Sequence, residues 1–189
     1  MKYLSIFSFL ILILISCNES KQDKQQEVTT SEIESDFSKC PNGAIPPIFD
    51  ADSSGFVVDQ NHEIQKGLIK EQVIFADGIQ LELIQSGCYV LKQNYKFKFP
   101  KRTAETNPQF WLALAMGQFE KMANVDEGFL NIAQLIYQNG GQMKLGEPFN
   151  GLIPMGEGYE ETSYTLIVDK FETDEEQLLV VNFDLVYPK

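Results

Sequence analysis

Alternation of apolar and polar residues is the feature that most constrains the fold. In "IQLELI", Ile79, Leu81 and Leu83 share one face, whereas Gln80 and Glu82 share the other. The stretch "YVLKQNYKFKF" repeats the pattern, with its apolar face formed by Tyr89, Leu91, Tyr95, Phe97 and Phe99 and its polar face by Lys92, Lys96 and Lys98. A period of two residues is typical of a β-strand with one buried face.

A third apolar run, Leu68 to Phe75, precedes these two stretches. It is separated from them by Asp77-Gly78, a dipeptide typical of hairpin turns. We therefore expect an antiparallel meander from Leu68 to Phe99.

The period then changes to that of a helix. Asn107-Pro108 is a helix start, because Asn is a good N-cap residue and Pro fits the first helical position. Apolar residues follow at helical spacing, namely Trp111, Leu114, Ala115, Phe119 and Met122. Trp111 belongs to this row, so we expect it in the core and not on a sugar-binding surface.

A second helix is predicted after Asp126, its proposed cap. Its buried residues would be Phe129, Ile132, Ala133 and Ile136, and Gly140-Gly141 would end it. The glycine-rich segment from Gly140 to Gly158 reads as one long loop or a chain of turns.

The last predicted element is a hairpin. "SYTLIVDKF" and "LLVVNFDLVY" flank the acidic turn "ETDEEQ", and Leu179, Val181, Phe183 and Leu185 share one face of the second strand. The expected fold class is therefore α+β, with an antiparallel meander, a two-helix hairpin and a C-terminal β-hairpin packed around one core.

The first sixteen residues have the layout of a secretory signal. Lys2 precedes an apolar run from Leu4 to Ile15 that is too short to span a bilayer comfortably. The segment Leu14-Ile15-Ser16-Cys17 resembles the lipobox of bacterial lipoproteins, the site at which their precursors are cleaved. The resemblance implies cleavage after Ser16 and a lipid on Cys17, which would anchor the protein to a membrane of the bacterial cell envelope. It does not decide between the periplasmic and surface faces.

Residues 17–36 are expected to form a flexible acidic tether. From Asn18 to Asp36 there are six acids, two lysines and no aromatic residue, a composition that cannot bury enough apolar surface to fold. Residues 37–189 then form one α+β domain, a length that suits a single core.

Three cysteines are present. With Cys17 assigned to lipid, Cys40 and Cys88 remain as a predicted disulfide pair in an oxidising compartment. Two unpaired buried thiols are the alternative.

The charge and the scarcity of catalytic residues limit the function classes. The 189-residue chain has a net charge of −12, one histidine (His62) and one arginine (Arg102). A strongly acidic chain argues against a nucleic-acid partner. No serine lies in a Gly-x-Ser-x-Gly context, and His62 in its polar surroundings is expected to be a solvated surface residue.

Asp50 to Asn61 resembles a calcium loop, with Asp, Asp and Ser at positions 1, 3 and 5 and Gly at position 6. The glutamate expected at position 12 is Asn61, and no helix is predicted before it. The alternative is an Asx turn ahead of a strand. Neither a metal nor a cofactor is therefore assigned.

Two regions are candidate binding surfaces. One is the cationic side of the predicted strand, represented by Lys92, Lys96, Lys98 and Arg102. It is either a docking site for an acidic envelope protein or glycan, or the exposed side of an edge strand, where lysines discourage aggregation. The other is the glycine-rich loop, with Phe149 and Tyr159 as contact residues.

Carboxylate pairs leave an enzymatic alternative open, since glycoside hydrolysis needs two suitably spaced carboxylates. The candidates lie in or near the glycine-rich loop and are Glu147, Glu157, Glu160 and Glu161. The leading hypothesis is a lipid-anchored, non-catalytic binding domain of the cell envelope. An envelope hydrolase and a structural envelope assembly factor are the alternatives, and the sequence leaves the oligomeric state open.

Overall fold

The computed structural model describes residues 48–49, 55–65, 67–87, 90–100, 106–153, 161–173 and 175–186. The seven strands are β1 (Val57–Gln65), β2 (Leu68–Phe75), β3 (Gln80–Ser86), β4 (Val90–Pro100), β5 (Phe149–Ile153), β6 (Thr162–Glu172) and β7 (Glu176–Val186). The two helices, α1 (Pro108–Met122) and α2 (Gly128–Asn139), lie between β4 and β5 in the chain.

All seven strands form one antiparallel sheet in the order β1-β2-β3-β4-β7-β6-β5. The predicted α+β class, the meander and the C-terminal hairpin are confirmed. The hairpin is inserted beside the meander, because β7 pairs with β4 along the full length of both strands. As a result β4 is the central strand of the sheet.

The two helices form a hairpin that packs on one face of the sheet, as the helical spacing predicted. The Asn107 side chain accepts the backbone N–H of Gln109 at 3.0 Å, which confirms the N-cap of α1. At the start of α2, Asp126 Oδ1 accepts the N–H of Gly128 at 2.7 Å, although the N-cap position itself is Glu127. Helix α2 ends at Asn139, directly before Gly140.

Aromatic rings fill the space between helices and sheet. Phe119 of α1 meets Tyr95 of β4 edge-on, with ring centroids 4.8 Å apart. Phe129 of α2 stacks on Phe49 at 5.7 Å and also contacts Tyr95. Trp111 is 2% exposed, so its assignment to the core is confirmed.

One strand was not predicted from the sequence, because its pattern is weak. Strand β5 lies inside the glycine-rich segment that was expected to be a loop or turns. Its central Gly151 is required by packing, because a Cβ there would lie 2.5 Å from the hydroxyl oxygen of Tyr164. Strand β1 begins inside the segment that resembles a calcium loop, which agrees with the alternative of a turn ahead of a strand.

Candidate functional site: the open face of the sheet

One face of the sheet carries both helices, and no helix or strand among the described residues covers the other. We call this second face the open face. Its side chains alternate with the buried ones along each strand. Its members include Lys70, Gln72, Ile74, Gln80, Glu82, Ile84, Lys92, Asn94, Lys96, Lys98, Thr165, Ile167, Asp169, Phe171, Leu178, Val180, Asn182 and Asp184.

The predicted lysine row lies in the middle of this open face. Lys92, Lys96 and Lys98 belong to β4, with β3 on one side and β7 on the other. The edge-strand explanation of these lysines is therefore wrong. It failed because strand order depends on the pairing of β4 with β7, two strands far apart in sequence.

The lysines are matched by carboxylates on the neighbouring strands. Lys98 Nζ lies 3.7 Å from Glu176 Oε2, and Lys92 stands opposite Asp184 in the β4–β7 register. Lys70 Nζ lies 2.9 Å from Glu82 Oε2. The hydrogen bond from Lys70, with the nearby charge of Lys96, keeps the pKa of Glu82 below its usual value. The open face is consequently of mixed charge and is not a cationic patch.

Aliphatic and amide side chains occupy the space between these charges. Asn94 Nδ2 donates to Asn182 Oδ1 across β4 and β7 at 2.5 Å. Ile84 and Val180 are half-buried, whereas Ile74 and Phe171 are 38% and 51% exposed. The open face therefore presents charges of both signs, amide groups and aliphatic surface side by side.

A shallow groove of about 320 Å³ lies on the open face near the start of β1. It is lined mainly by polar residues of four strands, including Asp59, Asn61, Gln72, Gln80, Glu82 and Lys98. A β-bulge between Val57 and Asp59 shifts the register of β1 and aligns Asp59 with Ile74. Bulges re-aim side chains in this way, and here the effect is to add a carboxylate to the groove.

Of the other predicted binding residues, Phe149 lies away from the lysine row. Phe149 is half-buried on β5 at the edge of the sheet, separated from β4 by β6 and β7. Arg102 and Tyr159 lie outside the described residues, as do Cys17, Cys40 and Cys88, and with them the lipidation and disulfide predictions.

Of the segment that resembles a calcium loop, the structure describes residues 55–61. Its last five positions, 57–61, are extended in β1. The proposed ligands Asp50, Asp52 and Ser54 lie outside the described residues, and with them the calcium prediction. Within the described ranges, no three His, Cys, Asp or Glu side chains are arranged to hold a metal ion. His62 is exposed on β1, as expected for a solvated residue.

The candidate carboxylates for hydrolysis are not brought together by the described part of the fold. Glu147 and Glu161 are both exposed, and Glu147 is ion-paired with Lys144 at 3.3 Å. Glu157 and Glu160 lie outside the described residues.

One buried glutamate was not predicted from the sequence. Glu71 is fully buried on the helix side of β2, and its carboxylate accepts the backbone N–H groups of Ile48 and Phe49 at 2.9–3.0 Å. Gln85 donates to it at 3.2 Å and in turn accepts from Gln93 at 2.9 Å.

Burial raises the pKa of Glu71 above its usual value, although the two backbone hydrogen bonds act in the opposite direction. The Glu71 carboxylate thus fastens the segment at residues 48–49 to the core. In "LIKEQVIF", Glu71 lies two residues from both Ile69 and Val73 and therefore on the same face of the strand, so its burial can be inferred from the sequence. Its backbone hydrogen-bond donors cannot be inferred in this way, because they are distant in sequence.

Comparison with known proteins gives no relative for this arrangement. No protein-family model, no curated protein and no solved structure matches the chain. No helix within the described residues is long and apolar enough to cross a membrane.

Proposed function

We propose that the chain is a lipid-anchored, non-catalytic binding domain of the bacterial cell envelope that docks a protein partner on the open face of its sheet. The observation that carries the proposal is a broad sheet face with no second layer among the described residues. A sheet face that is buried within a protein is covered by a second layer of helices or strands. A face that is exposed to solvent is available to bind a partner.

A protein partner is favoured over an anionic glycan by the charge pattern. The lysines of the open face already have carboxylate neighbours, so an anionic polymer would meet Glu82, Asp184 and Glu176 beside every lysine. A folded protein can present both signs of charge in matching positions, which gives specificity as well as affinity. The half-exposed Ile84 and Val180 would supply the apolar centre of the contact.

The open face is tested by crosslinking in cells through a photoreactive residue placed at Lys92, which is exposed on β4. Charge reversal by Lys96→Glu would set a second carboxylate beside Glu82, the register partner of this position, and should sharply reduce recovery of the crosslinked species. Glu120→Lys, on the exposed side of α1, is the matched control and should leave recovery unchanged. Equal recovery from all three proteins would remove the open face from consideration.

The anchor is tested separately by labelling cells with a palmitate analogue. The wild-type chain should be labelled, and Cys17→Ser should not be. A variant that remains labelled would contradict lipidation at Cys17 without bearing on the open face.

A further inference from the structure

The two edges of the sheet differ in charge. Strand β1, at one edge, carries Asp59 and Glu63 and is interrupted by a β-bulge. Both features discourage pairing with another strand. Strand β5, at the other edge, reads "FNGLI" and contains no charged residue. In the described part of the chain, no strand lies beyond β5.

The apolar side chains of β5 are incompletely covered. Phe149 and Ile153 share the side of β5 that packs on the core, yet both are only half-buried. Leu152 is on the opposite side and is 58% exposed. The hydrophobic core therefore reaches the edge of the sheet and stops there without a covering element among the described residues.

The sequence of β5 allows it to pair with a second copy of itself without opposing like charges. In an antiparallel pair centred on Gly151, Phe149 of one copy would face Ile153 of the other, and Asn150 would face Leu152. The same operation on β1, centred on Asn61, would set Asp59 against Glu63 and place like charges opposite each other. Self-pairing is thus compatible with the β5 edge and opposed at the β1 edge.

We propose that two copies of this chain associate through antiparallel pairing of their β5 strands about a two-fold axis at Gly151. The axis stands perpendicular to the sheet, so both helix layers lie on one side and the two open faces lie together on the other. Such a contact is self-complementary, as a two-fold interface requires. The pairing is independent of what binds the open face.

The test uses the full chain in a mild detergent, with its mass measured by light scattering over a range of protein concentrations. Asn150→Glu and Leu152→Lys each bring two like charges close to the axis, and each should raise the dimer dissociation constant by roughly tenfold. The double variant places the introduced glutamate of one copy opposite the introduced lysine of the other and should restore the dimer. A glutamate at position 150 retains an oxygen that can accept from Thr165, as Asn150 does at 2.7 Å.

Val58→Lys on β1 is the matched control at the other edge. Val58 is 68% exposed, and its replacement should leave the dissociation constant unchanged. Hydrogen exchange of the β5 backbone amides should slow as the wild-type concentration rises. A wild-type monomer at every concentration, or a dimer that is equally stable in all variants, would overturn the proposal.

Discussion

The carboxylate of Glu71 accepts the backbone N–H of Phe49 at 2.9 Å, and both residues are shielded almost completely from water. The contact joins two parts of the chain 22 residues apart. This hydrogen bond holds the Phe49 ring against the Phe129 ring. The position of the stacked aromatic pair thus depends on the hydrogen bond to Glu71.

Removal of this acceptor should be costly. Glu71→Ala leaves the N–H groups of Ile48 and Phe49 without their partner, and we expect the free energy of unfolding to fall by about 3 kcal/mol. Urea denaturation measures the change. The neighbouring Gln72→Ala, at an exposed position on the other side of β2, should change stability by less than about 0.5 kcal/mol. Equal effects of the two substitutions would contradict the role assigned to Glu71.

The same carboxyl should give the domain a characteristic pH dependence. Because burial raises its pKa above the ordinary 4.5, the folded state binds the Glu71 proton more tightly than the unfolded state does. The stabilising contribution is complete below pH 4.5 and is lost as the pH rises through the folded-state pKa.

Glu71→Gln isolates this contribution, since it removes the titration and keeps one acceptor oxygen. The unfolding free energy of the wild type minus that of Glu71→Gln should decrease as the pH rises above 4.5. Carboxylates with a lowered pKa, such as Glu82, act in the opposite direction but are present in both proteins. A difference that stays constant with pH would refute the assignment.

Replacement of Tyr95 by phenylalanine should increase the stability of the domain. Within the described residues the Tyr95 hydroxyl is buried and has no hydrogen-bond partner. Tyr95→Phe removes an unsatisfied polar group and keeps the ring that packs on Phe119, so we expect the free energy of unfolding to rise by about 1 kcal/mol. Tyr164→Phe is the comparison, because the Tyr164 hydroxyl receives a hydrogen bond from Asn139 at 3.3 Å. Thermal unfolding should show opposite shifts for the two variants.

Gly151 should not tolerate a methyl group. The added Cβ would meet the Tyr164 ring at 2.5–2.6 Å, and that ring is 4% exposed and has little room to move. We expect Gly151→Ala to lower the free energy of unfolding by about 2 kcal/mol. Gly117→Ala, in the middle of α1, would place its Cβ with no neighbouring atom within 4 Å and should instead raise it by about 1 kcal/mol. Denaturant midpoints that order the two variants the other way would contradict the packing at Gly151.

Local patterns in the sequence carry much of the fold. The alternation in β3 and β4, the Asn107-Pro108 helix start and the helical row containing Phe119 all describe contacts between neighbours in the chain, and each is confirmed. What depends on distant partners was not predictable. An edge position for the lysines of β4 is compatible with the local sequence, because no local pattern indicates that β7 pairs with β4. Strand β5 was missed because a five-residue edge strand with a central glycine has too little alternation to be distinguished from a loop.

The position of β7 has a consequence for how the chain can mature. The strand formed by residues 176–186 follows every other described strand in the chain, yet it lies between β4 and β6. The meander can form early from local pairings, but it cannot join β6 and β5 until residue 186 is free to pair. In a chain that emerges slowly from a ribosome or an export channel, the sheet would therefore remain incomplete until β7 is available. The pairing of β7 with β4 would then complete the sheet in one late step that depends on long-range contacts.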